Sequence, residues 1–257
     1  MTFPGSIGAG NQDYSGFNRE SWPLRSNSDH HAAIDIIKAA KTVGDRDRLE
    51  SQHGCRYSIL LELPYFDPTR MCIIDPMHNY FIGTARHIAK DIWMDESFNL
   101  LASEKVFKSI QSRIDGIRVP ADIGRIPRKI EAGFSGFTAD QYKNWINLYS
   151  IPCLHGILSN DDIECWHHFV LACRILSKRS LSEVDVTLAD ALLLRFCKRV
   201  EQLYGWKAIT PNMDMHCHLK NVITDYGPVC AFWLFSYERY NGIWNINLPT
   251  TILLKFN

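Results

Sequence analysis

The stretch RMCIIDPMHNYFIGTARHIAKDIW, residues 70–93, decides how the fold is read. Its first part, RMCIID, is short, apolar and bounded by Pro68 and Pro76, which predicts a strand. Pro76 suits the first position of a helix, since its missing N–H is one that a helix start leaves unpaired anyway. A helix is therefore expected to begin right after Asp75. An aspartate there has two physical uses. It can cap the helix, accepting from a backbone N–H of the first turn, a role worth about 1 kcal/mol. It can also sit at the end of a buried strand and hold a divalent metal, because hard cations need rigidly placed oxygen ligands. His78, within one turn, could orient that carboxylate or simply cap and pack.

The chain has 257 residues, of which 46% are hydrophobic, enough to build a real core. Lys plus Arg number 28 and Asp plus Glu 28, so the net charge is zero and a dedicated nucleic-acid-binding domain with a strongly basic face is disfavoured. The eight cysteines are scattered without a CxxC, several in apolar helical patterns such as CWHHFVLAC, and are read as reduced core thiols. Neither a signal peptide nor a run of about 18 apolar residues is present. A nuclear or cytoplasmic protein is expected, neither secreted nor membrane-bound.

Residues 1–30 show no regular period, and Asp29 is expected to cap a helix over HHAAIDIIKAAKTV. RYSILLELPYF mixes alternation with a solid apolar run. From about Phe98 to Gly227 the pattern is helical almost throughout, with starts at Ser103, Thr138, Ser159 or Asn160, Ser182 and Thr210 and stops at Gly116, Gly205 and Gly227. PVCAFWLFSYERYNGIW is again apolar and carries one acid, Glu238, which is either a ligand or half of an ion pair, with Arg239 adjacent. The layout is a short α/β piece, a long helical block and an apolar return.

Other constellations carry less. His216 and His218 flank Cys217, but positions i and i+2 do not share a helix face, and no paired CxxC adds ligands, so zinc is not expected. His167 and His168 are judged alike. No GxSxG elbow and no phosphate-cradling glycine loop occur. RVPADIGRIPRK sets Arg118, Arg125, Arg128 and Lys129 against Asp122 and could touch a DNA backbone, though a solvated loop often looks the same.

Four blocks, HGCRYSILLELPYFDPTRMCIIDPMHNYFIGTARHIAKDIW, GFSGFTADQYKNWINLYS, TPNMDMHCHL and FSYERYNG, taken in order, resemble the transposase family of En/Spm (CACTA) DNA transposons in the form widespread among invertebrates. The similarity runs from about Tyr14 to Ile243. The resemblance implies a DDE/D transposase with a ribonuclease H-like core, in which two aspartates and a glutamate bind two Mg²⁺ or Mn²⁺ ions and the partner is the DNA of transposon ends. Asp75 matches the second catalytic aspartate, with Asp67 in reserve, His78 its accompanying histidine, and Glu238 the final glutamate. The expected fold class is α+β, mostly α-helical: an incomplete ribonuclease H-like core interrupted by a large all-α insertion domain. The divisions are an irregular segment with one helix (1–55), part of the core (56–97), the helical insertion (98–228), a return to the core (229–244) and an unrelated tail (245–257). The family's first catalytic aspartate and a cysteine pair belong upstream of DYSGFNRESWPLR and have no counterpart here, and WNINLPTTILLKFN departs from the family. The chain is accordingly expected to be an internal fragment, inactive alone. The alternative is a non-enzymatic helical module that binds protein or DNA, with homo-oligomers possible in either case.

Overall fold

The computed structural model describes residues 16–22, 25–98, 100–101, 103–120, 123–124, 130 and 133–247, with backbone only at 135 and 244–247. Helix α1 (Asn27–Lys38) starts where Ser26 and Asp29 satisfy each other's backbone N–H groups in a capping box, so the cap is Ser26 and not Asp29. It stops at Lys38, and a second helix, α2 (Val43–His53), starts on Thr42 and ends at Gly54, whose φ of 61° is cheap only for glycine. Ala33, Ile34 and Ile37 of α1 bury with Cys55 and Leu61 in a small core of their own.

The expected strand at 70–75 is absent, and no strand occurs among the described residues, which are mostly helical. The fold there is all-α, not α+β. A strand exists only through the ladder bonds of a neighbour, and the apolar run at 71–74 has none. Ile74 is buried, while Met71 and Ile73 remain over 40% exposed. RYSILLELPYF yields only a 3₁₀ turn, Ile59–Glu62, with Ile59 and Leu60 turned outward.

The main core is built around α3, which continues from Met77–Ala85 through His87–Ile92. Its Tyr80, Phe81, Ala85, Ile88, Ala89 and Ile92 are buried while His78, Arg86 and Asp91 are exposed, so α3 turns a broad apolar face to the core and a polar one to solvent. Parts of it are wound wide, as at Trp93, whose N–H donates to the Ile88 carbonyl five residues back at 2.9 Å. Around α3 lie α4 (Glu104–Gly116) and α5, which runs through Ala139–Asn144, Trp145–Tyr149 and Ser150–Leu154. Beside them stands a hairpin of the two longest helices, α6 (Asn160–Leu176) and α7 (Glu183–Tyr204).

Ser103, Thr138, Ser159 and Ser182 each cap as their positions predict, accepting from the N–H three residues on. Phe169, Val170 and Cys173 of α6 and Leu193, Phe196, Cys197 and Val200 of α7 are all 1% exposed or less. Each large apolar side chain so buried contributes about 1.5–3 kcal/mol. Trp93 stands edge-on to Trp166 at 4.9 Å, and the Trp166 indole donates to Ser150 Oγ at 2.9 Å, so the ring's polar atom is satisfied inside the core.

The chain closes through α8 (Pro211–His216), α9 (Leu219–Tyr226) and α10 (Phe235–Asn247). Thr210 precedes α8 as expected but makes no side-chain cap bond; Pro211 takes the first helical position. The N-terminal segment is tied down by Arg19, whose Nη1 donates to both carboxylate oxygens of Asp190 on α7 at 2.9 and 3.0 Å. All eight cysteines are free thiols; Cys153, Cys165, Cys173 and Cys197 lie in the main core, whereas Cys72 is exposed. No helix of the described residues is long and apolar enough to cross a membrane.

Helix α3 meets α8 closely because position 83 is glycine. A Cβ there would lie 2.5 Å from both Asn212 Nδ2 and the His78 carbonyl oxygen. Gly83→Ala is expected to destabilise the protein by about 1–3 kcal/mol in urea unfolding. Gly44→Ala, in α2 with nothing within 4 Å, is expected to stabilise it by about 0.5–1 kcal/mol. Equal effects at the two positions would contradict the packing described.

Candidate functional site

Pro76 has helical angles, φ −67° and ψ −27°, so the backbone turns into α3 directly behind Asp75. Asp75 Oδ1 accepts from Met77 N at 3.2 Å, and Oδ2 accepts from His78 N at 3.0 Å. These are the cap bonds that its spacing suggested. Two further bonds could not be read from spacing. The N–H of Leu234, 159 positions away, donates to Oδ1 at 3.0 Å, and His78 Nδ1 lies 2.5 Å from Oδ2. Leu234 immediately precedes α10, so Asp75 joins the start of α3 to the start of the return helix.

Glu238 stands one turn into α10, its N–H donating to the Leu234 carbonyl at 2.9 Å. His78 Nε2 faces Glu238 Oε1 at 4.0 Å, beyond hydrogen-bond distance but within ionic reach when the imidazole is charged. The three residues matched to the transposase site are thus neighbours: Asp75 with a side chain 13% exposed, and His78 and Glu238 about half exposed. The described ionic contact of Glu238 is with His78 rather than the adjacent Arg239. Asp67 turns inward on its own loop, Oδ1 accepting from Thr69 N at 2.9 Å and Thr69 Oγ1 at 2.6 Å. The loop is fixed to α9 by an Arg70–Asp225 ion pair. Arg118 is exposed; Arg125, Arg128 and Lys129 lie outside the described residues.

A carboxylate offers about four lone-pair directions. At Asp75 each oxygen already has two protein contacts, so a metal ion could bind only by displacing one of them. The Glu238 carboxylate accepts no described hydrogen bond and is open to a ligand. Among the described residues no group of three or more His, Cys, Asp or Glu side chains is arranged to hold a metal ion. As placed, Asp75 and Glu238 do not fit a two-metal centre. What the arrangement shows is an imidazole bonded to one carboxylate and facing a second.

Behind this surface lies a polar seam between α3 and α8 that no single motif announced. Asn79, 2% exposed, donates through Nδ2 to the Asn212 carbonyl at 2.9 Å. Thr84 Oγ1 meets His216 Nε2 at 2.9 Å, and the His216 ring stacks on Tyr80 at 5.4 Å. Burial pushes the His216 imidazole down to about 3, keeping it neutral. His218 is turned away onto Trp22 at 5.9 Å, so the two histidines serve separate contacts. A lone Asn and a Gly inside the apolar run MHNYFIGTA were the signals in the sequence for this seam. On the other side of α8, burial pushes the Asp214 carboxyl up to about 7, and its Oδ2 has no hydrogen-bond partner among the described residues.

Two outcomes are expected. Asp75→Ala should cost about 2 kcal/mol or more in urea unfolding, because it strips a cap and orphans the Leu234 N–H; Glu238→Gln should change stability by less than about 0.5 kcal/mol. Asp214 binds a proton more readily folded than unfolded, so its contribution is retained at low pH and lost as pH rises from about 4 to about 7. His216 acts oppositely between about 3 and 6.5, so the two partly cancel in the wild type. The stability difference between Asp214→Asn and wild type should therefore grow with pH, by on the order of 4 kcal/mol, and level off above about 7. A pH-independent difference would contradict the burial of an ionisable Asp214.

Comparison with family models, with curated proteins and with solved structures found no match for this chain.

Proposed function

We propose that this chain is a transposase-derived helical module whose matched aspartate, Asp75, now helps hold the fold together, and that it does not cut DNA by itself. One observation carries the reading: the four blocks that resemble En/Spm (CACTA) transposases meet around α3 and the start of α10. Asp75 accepts from Leu234, Asn79 donates to Asn212, Thr84 bonds His216, and His78 faces Glu238. From the GFTADQYKNW block, Lys143 lies over the rings of Trp233 and Phe235 at 5.0 and 5.3 Å. Scattered motifs that meet at one place are what a common ancestral site leaves behind. The ribonuclease H-like core belongs to the proposed ancestry.

Mg²⁺ or Mn²⁺ would supply Lewis-acid activation of an attacking hydroxyl in such an ancestor. In this chain the protein's own donors occupy Asp75 and hold its charge, which favours a structural part for that residue. Transposon-end DNA as partner rests on the family resemblance. Binding DNA or protein without chemistry is the role this reading leaves open to the helical block.

The test is nicking of supercoiled plasmid in millimolar Mn²⁺, with Mn²⁺ calorimetry on wild type, Asp75→Asn and Glu238→Gln. No nicking is expected, and any weak Mn²⁺ binding should survive Asp75→Asn. Nicking abolished by both substitutions, or Mn²⁺ binding lost in Asp75→Asn, would overturn the inactive reading. Inverted repeats beginning CACTA on either side of the gene would support the ancestry independently.

A further inference from the structure

The first turns of α7 and the length of α9 enclose an open groove of about 290 Å³. Leu181, Val186, Ile223 and Pro228 make its walls mostly apolar. Lys220 is the cation in this lining, and its one described side-chain bond is a long one, 3.4 Å to Thr187 Oγ1. The described residues give that ammonium no carboxylate within ion-pair distance. The Thr224 hydroxyl is spent on the Lys220 carbonyl at 2.8 Å, and Ser182 is spent on its own capping box. The cationic group left to recognise a ligand is therefore the Lys220 ammonium.

We propose that this groove binds a small amphiphilic monoanion, with an aromatic or short aliphatic body against the apolar walls and a carboxylate on Lys220. The volume equals roughly ten waters at about 30 Å³ each, which suits a ligand of about ten to fifteen non-hydrogen atoms. The exposed Glu183 carboxylate also lines the groove, and its repulsion disfavours a dianion such as phosphate. The apolar area supplies the affinity, and the single cation sets the orientation.

The probe is 4-phenylbutyrate, followed by chemical shifts of labelled Ile, Leu and Val methyl groups and by calorimetry. Saturable binding with a Kd of about 0.1–1 mM is expected, with shifts concentrated at Leu181, Val186 and Ile223. Lys220→Met, which keeps the stem and removes the charge, should weaken binding tenfold or more, as should replacing the probe by 4-phenylbutanamide. Val186→Trp should fill the groove and abolish binding while circular dichroism stays unchanged. Inorganic phosphate should not compete. Absence of saturable binding, shifts located elsewhere, or equal affinity for the acid and the amide would each overturn the proposal.

Discussion

The Asp75 carboxylate accepts from Met77, His78 and Leu234 of the backbone and meets the His78 ring, and the relation between the start of α3 and the start of α10 depends on it. Two of these contacts start α3; the third fixes where the return segment enters α10. With Leu234 held, Glu238 falls one turn further on and faces His78. A nearly buried carboxylate is tolerable because its charge is met by this many donors. The same saturation is what makes it a poor metal ligand. One constraint thus explains why residues far apart in sequence are neighbours.

Behind the clamp, α3 is placed by shape as much as by apolar area. Gly83 lets α8 approach until Asn212 meets Asn79 and His216 reaches Thr84, and the Tyr80 ring then lies flat against His216. These polar contacts specify one register between two helices whose apolar surfaces alone could slide. Their cost is borne by a core that includes Trp93, Trp166, Phe169 and Phe196 around the same helix. Asp214 is the exception, a carboxyl taken out of water without full compensation, and it ties the stability of α8 to pH.

What could be read in the sequence was what short-range chemistry determines. Ser103, Thr138, Ser159 and Ser182 cap helices because the bond they make is three residues away. Asp75 was legible as a cap for the same reason, whereas its bond to Leu234 depends on the whole fold. The strand expected at 70–75 failed because an apolar extended run becomes a strand only with a neighbour. The α1 cap was misplaced by three residues because Ser26 and Asp29 share one capping box and only Ser26 occupies the cap position. Glu238 and His78 were named from resemblance, and their meeting at 4.0 Å was not derivable from pattern.

The most direct measurement is amide hydrogen exchange at Leu234, followed by NMR with increasing Mg²⁺, which is diamagnetic and leaves nearby amides observable. If Asp75 is a structural clamp, the Leu234 amide is protected in the wild type, loses that protection in Asp75→Ala, and is indifferent to the metal. If Mg²⁺ instead releases the Leu234 and His78 amides together, the carboxylate is exchanging its protein donors for a metal ion, and the structural role assigned to Asp75 is wrong.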